Sequence, residues 1–258
     1  MSTPIHEAAS KGFEIAADAY ERGRPDYPQD AVDDLINEIG FSSEKTILDL
    51  GAGTGKFTRL IANRGANIVA VEPVAGMRQK FSQLLPSISI QAGTAESLPL
   101  ANASVDSVVV AQAFHWFSGE KSLTEIARVL KPGGKLAMIW NVRDESIDWV
   151  AKLTEIVDQH EKGAPRYKTG QWKVAFAHSR LFSPLVEKTF YYVQKGNLSV
   201  VLDRVASTSF ISALAPALKD SVLEEVKELL RTHPQTKGRQ EFEIPYRTDV
   251  FTCSQLTN

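Results

Sequence analysis

Five short, β-branched runs constrain this chain more than anything else in it: "TILDL" (46–50), "NIVAVE" (67–72), "SISIQ" (87–91), "VDSVVVAQ" (105–112) and "KLAMIW" (135–140). Each is apolar almost throughout, as strands covered on both faces of a parallel sheet are. Helical patterns fill the gaps. Lys56–Asn63 sets Phe57, Leu60 and Ile61 on one side, Ala75–Leu85 follows Pro73, and Leu123–Leu130 offers Leu123, Ile126, Ala127 and Leu130. Strand alternating with helix calls for right-handed βαβ units and a doubly wound α/β sheet with helices on both faces. The punctuation agrees, with "KPGG" (131–134) stopping a helix before a strand and "LPLANAS" (98–104) reading as a loop.

Past Trp140 the alternation fails. Asp144 to Lys162 reads as helix, "GAPRYKTGQWK" (163–173) as a basic loop, and "LVEKTFYYV" (185–193) as a strand. Two helices follow, Leu198–Ala206 and Pro216–Arg231, the second with Leu218, Val222, Val226 and Leu229 or Leu230 on one stripe. The last strand is "YRTDVFT" (246–252). Pro245 cannot donate to a ladder and is expected at that strand's start. No repeat or linker interrupts the 258 residues, so a single domain is expected.

The formal net charge of −2 gives no long-range pull towards a polyanion, so nucleic acid is a poor partner. Cys253 is the single cysteine, which excludes an intramolecular disulfide, and no Cys/His cluster has zinc spacing, so no metal is expected. The N-terminus lacks the apolar core of a secretory signal, and no apolar run approaches the ~18 residues that span a bilayer. The expectation is a cytoplasmic protein without membrane contact, monomeric or homodimeric.

"DLGAGTGKF" (49–57) is a glycine turn between a strand and a helix, and such turns hold nucleotides. A Walker A loop is excluded, because Gly55-Lys56 is followed by Phe57 and the position five before Gly55 is Leu50. A dinucleotide fingerprint is short of its third glycine, which is Lys56. The glycines fall at 51, 53 and 55, after Asp49. Glu72 ends the next strand, where a carboxylate can accept both hydroxyls of a ribose. A ligand without pyrophosphate does not need the third glycine, only close backbone approach, which glycine permits.

Here the chain resembles the class I S-adenosylmethionine-dependent methyltransferases of the methyltransferase type 11 kind, over roughly residues 15 to 143. The turn Asp49–Gly55 is similar to the family's first motif, Glu72 to its ribose-binding acid, and "RVLKPGGKLAMI" to the stretch entering its fifth strand. "GTAESLPLANASVDSVVVAQAFHWF" resembles its adenine-binding loop and fourth strand, with Thr94 where aspartate is usual. The resemblance implies a Rossmann-like, doubly wound seven-stranded sheet, mostly parallel with an antiparallel last strand. It implies one methyltransferase domain over 1–258: an N-terminal segment and cofactor core (1–143), substrate-side helices and a sixth strand (144–240), and a final strand (241–258). S-adenosyl-L-methionine is the implied cofactor and S-adenosyl-L-homocysteine its product, without metal.

By the same resemblance the cofactor set is Asp49, Gly51, Ala52, Gly53, Gly55, Glu72, Pro73, Met77, Thr94, Ala95, Glu96, Ala111 and Gln112. From "AYERGRPDYP" (19–28), Tyr20, Arg22 and Arg24 are candidates to fold over it, with a guanidinium gripping the methionyl carboxylate. Gln112 or the Ala111 carbonyl is placed to meet the methionyl ammonium. In "AFHWF", His115 and Trp116 are the catalytic candidates, His115 as a base and Trp116 as an apolar wall; an aromatic cap on the sheet is the plainer reading. Asn141 and Arg143 are candidates for the acceptor, and Arg166, Lys168 and Lys173 either cover an anion or form a solvated basic loop. The acceptor is expected to be a small molecule. "RPDYP", "AFHWF" and "WNVRD" resemble the trans-aconitate methyltransferase-like group, which implies methyl ester formation on a small carboxylic acid. A phenol, amine or carbon acceptor, or a catalytically silent cofactor-binding protein, are the alternatives.

Overall fold

The computed structural model describes residues 18–257. Seven strands form one sheet in the order β3-β2-β1-β4-β5-β7-β6. They are β1 (Thr46–Leu50), β2 (Asn67–Val71), β3 (Ser89–Gln91), β4 (Val105–Ala111), β5 (Leu130–Arg143), β6 (Val186–Asn197) and β7 (Glu241–Ser254). β1 to β5 pair in parallel, and β7 runs antiparallel between β5 and β6. The Rossmann-like, doubly wound sheet with an antiparallel last strand is as expected. The chain winds outward from β1 to β3 and then returns to β4 beside β1. That reversal leaves a crevice at the carboxyl ends of β1 and β4, where open α/β sheets bind ligands.

Successive strand residues serve opposite faces. Leu48, Val108, Val110, Leu136, Met138, Trp140 and Phe251 pack under helix α4 (Gly119–Val129) through Leu123, Ile126 and Ala127. Ile47, Val109, Ala137, Ile139 and Val250 pack under α1 (Gln29–Ile39) and α2 (Lys56–Ile61) on the other face. This two-sided burial is why the strands read as unbroken apolar runs. Helix α3 (Ala75–Leu84) buries Met77 and Phe81.

Beyond β5 the elements differ from expectation in extent. β7 starts at Glu241, so Pro245 lies inside it, paired with Val193 of β6. β5 ends opposite Tyr246, so at Pro245 the strand has β6 alone as a ladder neighbour, and the missing N–H is tolerated there. The Pro245 carbonyl still accepts the Asp144 N–H at 3.0 Å. The β6–β7 ribbon therefore projects past the carboxyl edge of the sheet. Phe242, Ile244 and Tyr246 on it pack with helices α5 (Asp148–Asp158), α7 (Leu198–Ala206), α8 (Ser209–Ser212) and α9 (Pro216–Thr232). α9 begins at a proline, which suits the first helical turn, and buries Val222, Val226 and Leu230, while Leu218 faces out. The 163–173 stretch is two short 3-10 turns with Trp172 buried, followed by α6 (Val174–His178), rather than a solvated loop. Among the described residues, no helix is long and apolar enough to cross a membrane.

Candidate active site

The glycine turn follows β1 with Gly51, Gly53 and Gly55 all at positive φ (73°, 56° and 85°), backbone that side chains with a Cβ rarely adopt. It is tied from two sides. Gly51 N–H donates to the Val71 carbonyl at 2.8 Å, and Gly53 N–H donates to the Glu72 carboxylate at 3.0 Å. The other Glu72 oxygen receives the Val74 N–H at 2.9 Å. Burial pushes the Glu72 carboxyl up to about 7, against these two bonds and Arg78. Asp49 is fully buried. Thr58 donates to one of its oxygens at 2.5 Å, and the other has no partner; burial raises this carboxyl to about 6.

These observations fit a nucleoside with an amino-acid tail. An acceptor pair (Glu72) sits against a turn in which three of five residues are glycine, a second buried carboxylate (Asp49) has one oxygen without a partner, and the Thr94 hydroxyl is buried without a partner. The Thr94–Ser97 bridge folds the loop bearing Ala95, which is buried. Glu96 departs from expectation. Its carboxylate accepts the Ser118 N–H (2.8 Å) and the Ser122 hydroxyl (2.9 Å), so it caps the start of α4 rather than facing the turn. The Pro73 carbonyl, with that of Glu72, accepts from Arg78, and Met77 is buried at the start of α3. Ala52 is buried against Ala70 and Phe81.

After β4 ends at Ala111, the chain bends sharply at Gln112, whose φ is 61°. Its N–H donates to the Ile139 carbonyl. The bend sends Phe114 inward, 1% exposed, and turns His115 and Trp116 towards a cavity of about 150 Å³. Tyr20, Arg24, Gln112, Trp140, Asn141 and Arg143 also line it, as do Arg166, Tyr167, Arg204 and Phe210 across from them. Helices α5, α7 and α8, packed on the β6–β7 ribbon, supply the far wall through Thr154, Val157, Arg204, Ser209 and Phe210.

The charges in this cavity are unbalanced. Arg24 donates to the Ser207 carbonyl (3.2 Å), Arg143 to the Thr154 hydroxyl (3.3 Å), and Arg204 to the Tyr246 and Thr208 hydroxyls (3.3 and 3.4 Å). None of the three has a carboxylate partner among the described residues, and Nε of Arg24 and of Arg143 is buried without any partner. Burial first, and Arg204 second, hold Arg24 and Arg143 below the ordinary arginine range. Arg166 differs, being paired with Asp158 and Glu161 at 2.8 Å each, and Lys168 pairs with Asp158. Lys173 bonds Glu187 and lies over the Phe251 ring. Arg22, half of the expected pair in the N-terminal segment, points outward to Asp203 at 2.7 Å, whereas Arg24 stacks on Tyr20 beside the cavity. The Asn141 amide is also committed, donating to the Asp26 carbonyl (3.0 Å) and accepting from Thr248 (2.6 Å).

Arg204 was not foreseen. Its signal lay in "LSVVLDRVA", where a charge falls on the same helix face as Val201 and Val205, both fully buried. Among the described residues, no group of three His, Cys, Asp or Glu is placed to hold a metal ion.

Comparison with known proteins agrees with this geometry. A family model described as a methyltransferase domain matches residues 48–138. An uncharacterized methyltransferase of Mycobacterium tuberculosis is 38% identical over 96% of both chains. An uncharacterized methyltransferase-like protein of Schizosaccharomyces pombe is 35% identical over 95% of this chain and 96% of its own. Among solved structures, a putative methyltransferase from an antibiotic biosynthesis pathway of Anabaena variabilis superposes with a TM-score of 0.61 at 24% identity, covering 89% of this chain and 98% of its own. The YcgJ protein of Bacillus subtilis gives 0.59 at 17% identity, covering 90% and 100%. These two are likenesses of fold.

Proposed function

The chain belongs to the class I S-adenosylmethionine-dependent methyltransferases, and from that premise we propose that it methylates a small carboxylic acid carrying further negative charge, an acid of the trans-aconitate kind, to give a methyl ester. The observation that supports this reading is the trio Arg24, Arg143 and Arg204, which line one cavity without a carboxylate among their partners. Gathering like charges away from water costs several kcal/mol. An anionic ligand relieves that cost, and a neutral phenol or a cationic amine does not.

In the proposed arrangement Glu72 accepts the ribose hydroxyls, the Gly51–Gly55 backbone admits the amino-acid tail, and the Thr94–Ala95 loop borders the adenine. Tyr20 and Arg24 close the N-terminal side, and Ala111 and Gln112 flank the reacting centre. S-adenosylmethionine supplies, when bound, a methyl group on a positively charged sulfur. Arg143 and Arg204 hold the acceptor's carboxylates, and the aromatic walls of Trp116, Trp140 and Phe210 exclude water from the reacting oxygen. The electron pair of the new C–O bond comes from a carboxylate oxygen, the pair of the broken S–C bond stays on sulfur, and no proton moves. A carboxylate, with a pKa near 4, is already ionised at neutral pH. Alignment and charge neutralisation then supply most of the acceleration. In this reading residues 1–258 act as one catalytic domain without metal.

The test is methyl transfer from radiolabelled donor to a panel of mono-, di- and tricarboxylates, phenols and amines. Base-labile methyl ester from the polycarboxylates is expected. Turnover confined to phenols or amines would overturn the assignment.

A further inference from the structure

Trp140 determines which nitrogen of His115 carries a proton. The indole Nε1 donates only, and it points at His115 Nδ1 at 3.2 Å. A nitrogen that accepts a hydrogen bond has no hydrogen of its own, so the neutral imidazole carries its proton on Nε2. Trp140 is in no position to swing away. It is 1% exposed, with its ring centroid 4.9 Å from Tyr167, 4.7 Å from Trp172 and 5.8 Å from Phe251. Tyr167 is itself anchored by its hydroxyl to Asp249 at 2.7 Å.

His115 packs on Trp116, makes no other hydrogen bond among the described residues, and borders the acceptor cavity. Its Nε2 is left for whatever occupies that cavity. The charged groups around the ring are the guanidiniums of Arg24 and Arg166, then Arg143 and Arg204, with Lys168 and Glu145 also on the cavity wall. Burial first, then Arg166 and Arg24, push the ring's pKa down to about 3, so it stays neutral where the enzyme works.

We propose that His115 is a hydrogen-bond donor and not a base: its Nε2–H, held in place by Trp140, binds one oxygen of the acceptor's carboxylate while the other oxygen attacks. This rests on the carboxylate reading and adds to it a means of discrimination. A lone pair on Nε2 would be needed to take a proton from a phenol or an ammonium group, and this tautomer has none there. An ammonium group meets hydrogen against hydrogen, and a phenol, although its oxygen can accept from Nε2–H, finds no base there for its own proton, while a carboxylate arrives ionised and meets a donor.

The test joins a spectroscopic readout to a kinetic one. In protein labelled with 15N-histidine, the His115 signals, assigned by their loss in His115→Gln, should report the Nε2–H tautomer without titrating between pH 5.5 and 8.5. Trp140→Phe should admit the Nδ1–H form. On the polycarboxylate acceptor, His115→Gln keeps an N–H near the Nε2 position and should retain kcat/KM within about fivefold. His115→Leu should lose about tenfold or more, with S-adenosylhomocysteine affinity unchanged in both. An Nδ1–H ring, a titration near 6.5, or a His115→Gln enzyme as impaired as His115→Leu would overturn the assignment. Failure of every carboxylate as a substrate would remove the acceptor reading, and the donor assignment with it, even where the NMR tautomer is as expected; that result is distinct from an impaired His115→Gln on an active carboxylate.

Discussion

Arg143, at the end of β5, and Arg204, in α7, line the same cavity, where burial first and repulsion from Arg204 second hold Arg143 below the ordinary arginine range. The ligand-free protein thus holds an electrostatic penalty that an anion removes. A tricarboxylate at 100 times its Kd should stabilise the fold by about 2.7 kcal/mol, read as a rise in Tm. Arg143→Met and Arg204→Met keep most of the apolar stem and should abolish that rise. Without ligand they should melt no lower than wild type, because each substitution relieves repulsion. A wild-type Tm indifferent to polycarboxylates would remove the anion site.

The same segment supplies an internal control. Arg22 and Arg24 are two residues apart, but the Arg22 side chain is 62% exposed and pairs with Asp203, whereas Arg24 borders the cavity over Tyr20. An exposed ion pair is screened and contributes little. Arg22→Ala should leave kcat/KM close to wild type, while Arg24→Met should lower it at least tenfold. Equal effects of the two would mean that the segment acts only as a structural strap.

How much of this was legible in the sequence depends on distance along the chain. The glycine turn, Glu72 and the alternation of strands and helices around them were readable because short-range geometry forces them: a left-handed backbone at 51, 53 and 55 needs glycine, and β2 places Glu72 beside it. The acceptor wall was not. Arg143 and Arg204 are brought together only because β6, paired with β7 as far as Asn197 and Glu241, continues past the end of β5 and leads straight into α7, and no local pattern announces that extension. The basic loop admits two readings in sequence for a related reason. Arg166 and Lys168 look like an anion cover in isolation, yet Asp158 and Glu161, at and beyond the end of α5, neutralise them. Glu96 likewise sits in an adenine-loop motif, but α4 folds its first turn onto that carboxylate.

Glu72 gives the site a pH dependence of defined sign. Its carboxyl stands near 7 in the fold against about 4.3 for an unfolded chain. Between those values the folded state holds a proton that the unfolded state has released, so this group's contribution to stability is present below about pH 4.3 and is lost as pH rises to about 7. The proposed ribose contact favours the ionised form. Binding of S-adenosylhomocysteine at pH 6 should then release protons, and affinity should rise from pH 6 to 8. Calorimetry in buffers of different ionisation enthalpy measures the release. Glu72→Gln should remove most of it and cost about 1.5–3 kcal/mol of affinity; the residue comes from Asp49, pushed up to about 6. Unchanged affinity in Glu72→Gln would end the ribose assignment.

Two glycines of one turn should fail in different ways. A Cβ on Gly51 would meet the Ala113 Cβ at 2.8 Å, and the φ of 73° is already unfavourable for alanine. Gly51→Ala should therefore destabilise the fold by more than the about 1 kcal/mol that left-handed backbone alone costs, because β4's exit must shift to make room. Gly53 is different: its φ is 56°, but a Cβ there meets nothing within 4 Å. Gly53→Ala should cost about 1 kcal/mol of stability and no more. Its N–H is bonded to Glu72, while a Cβ there would enter the open space beside the turn, which is the space proposed for the cofactor. Gly53→Ala should weaken S-adenosylhomocysteine binding at least tenfold at a Tm only a few degrees below wild type. Melting curves and calorimetric titration of the two variants separate the effects, and a Gly53→Ala protein that binds normally would show that the open space beside this turn is not where the nucleoside lies.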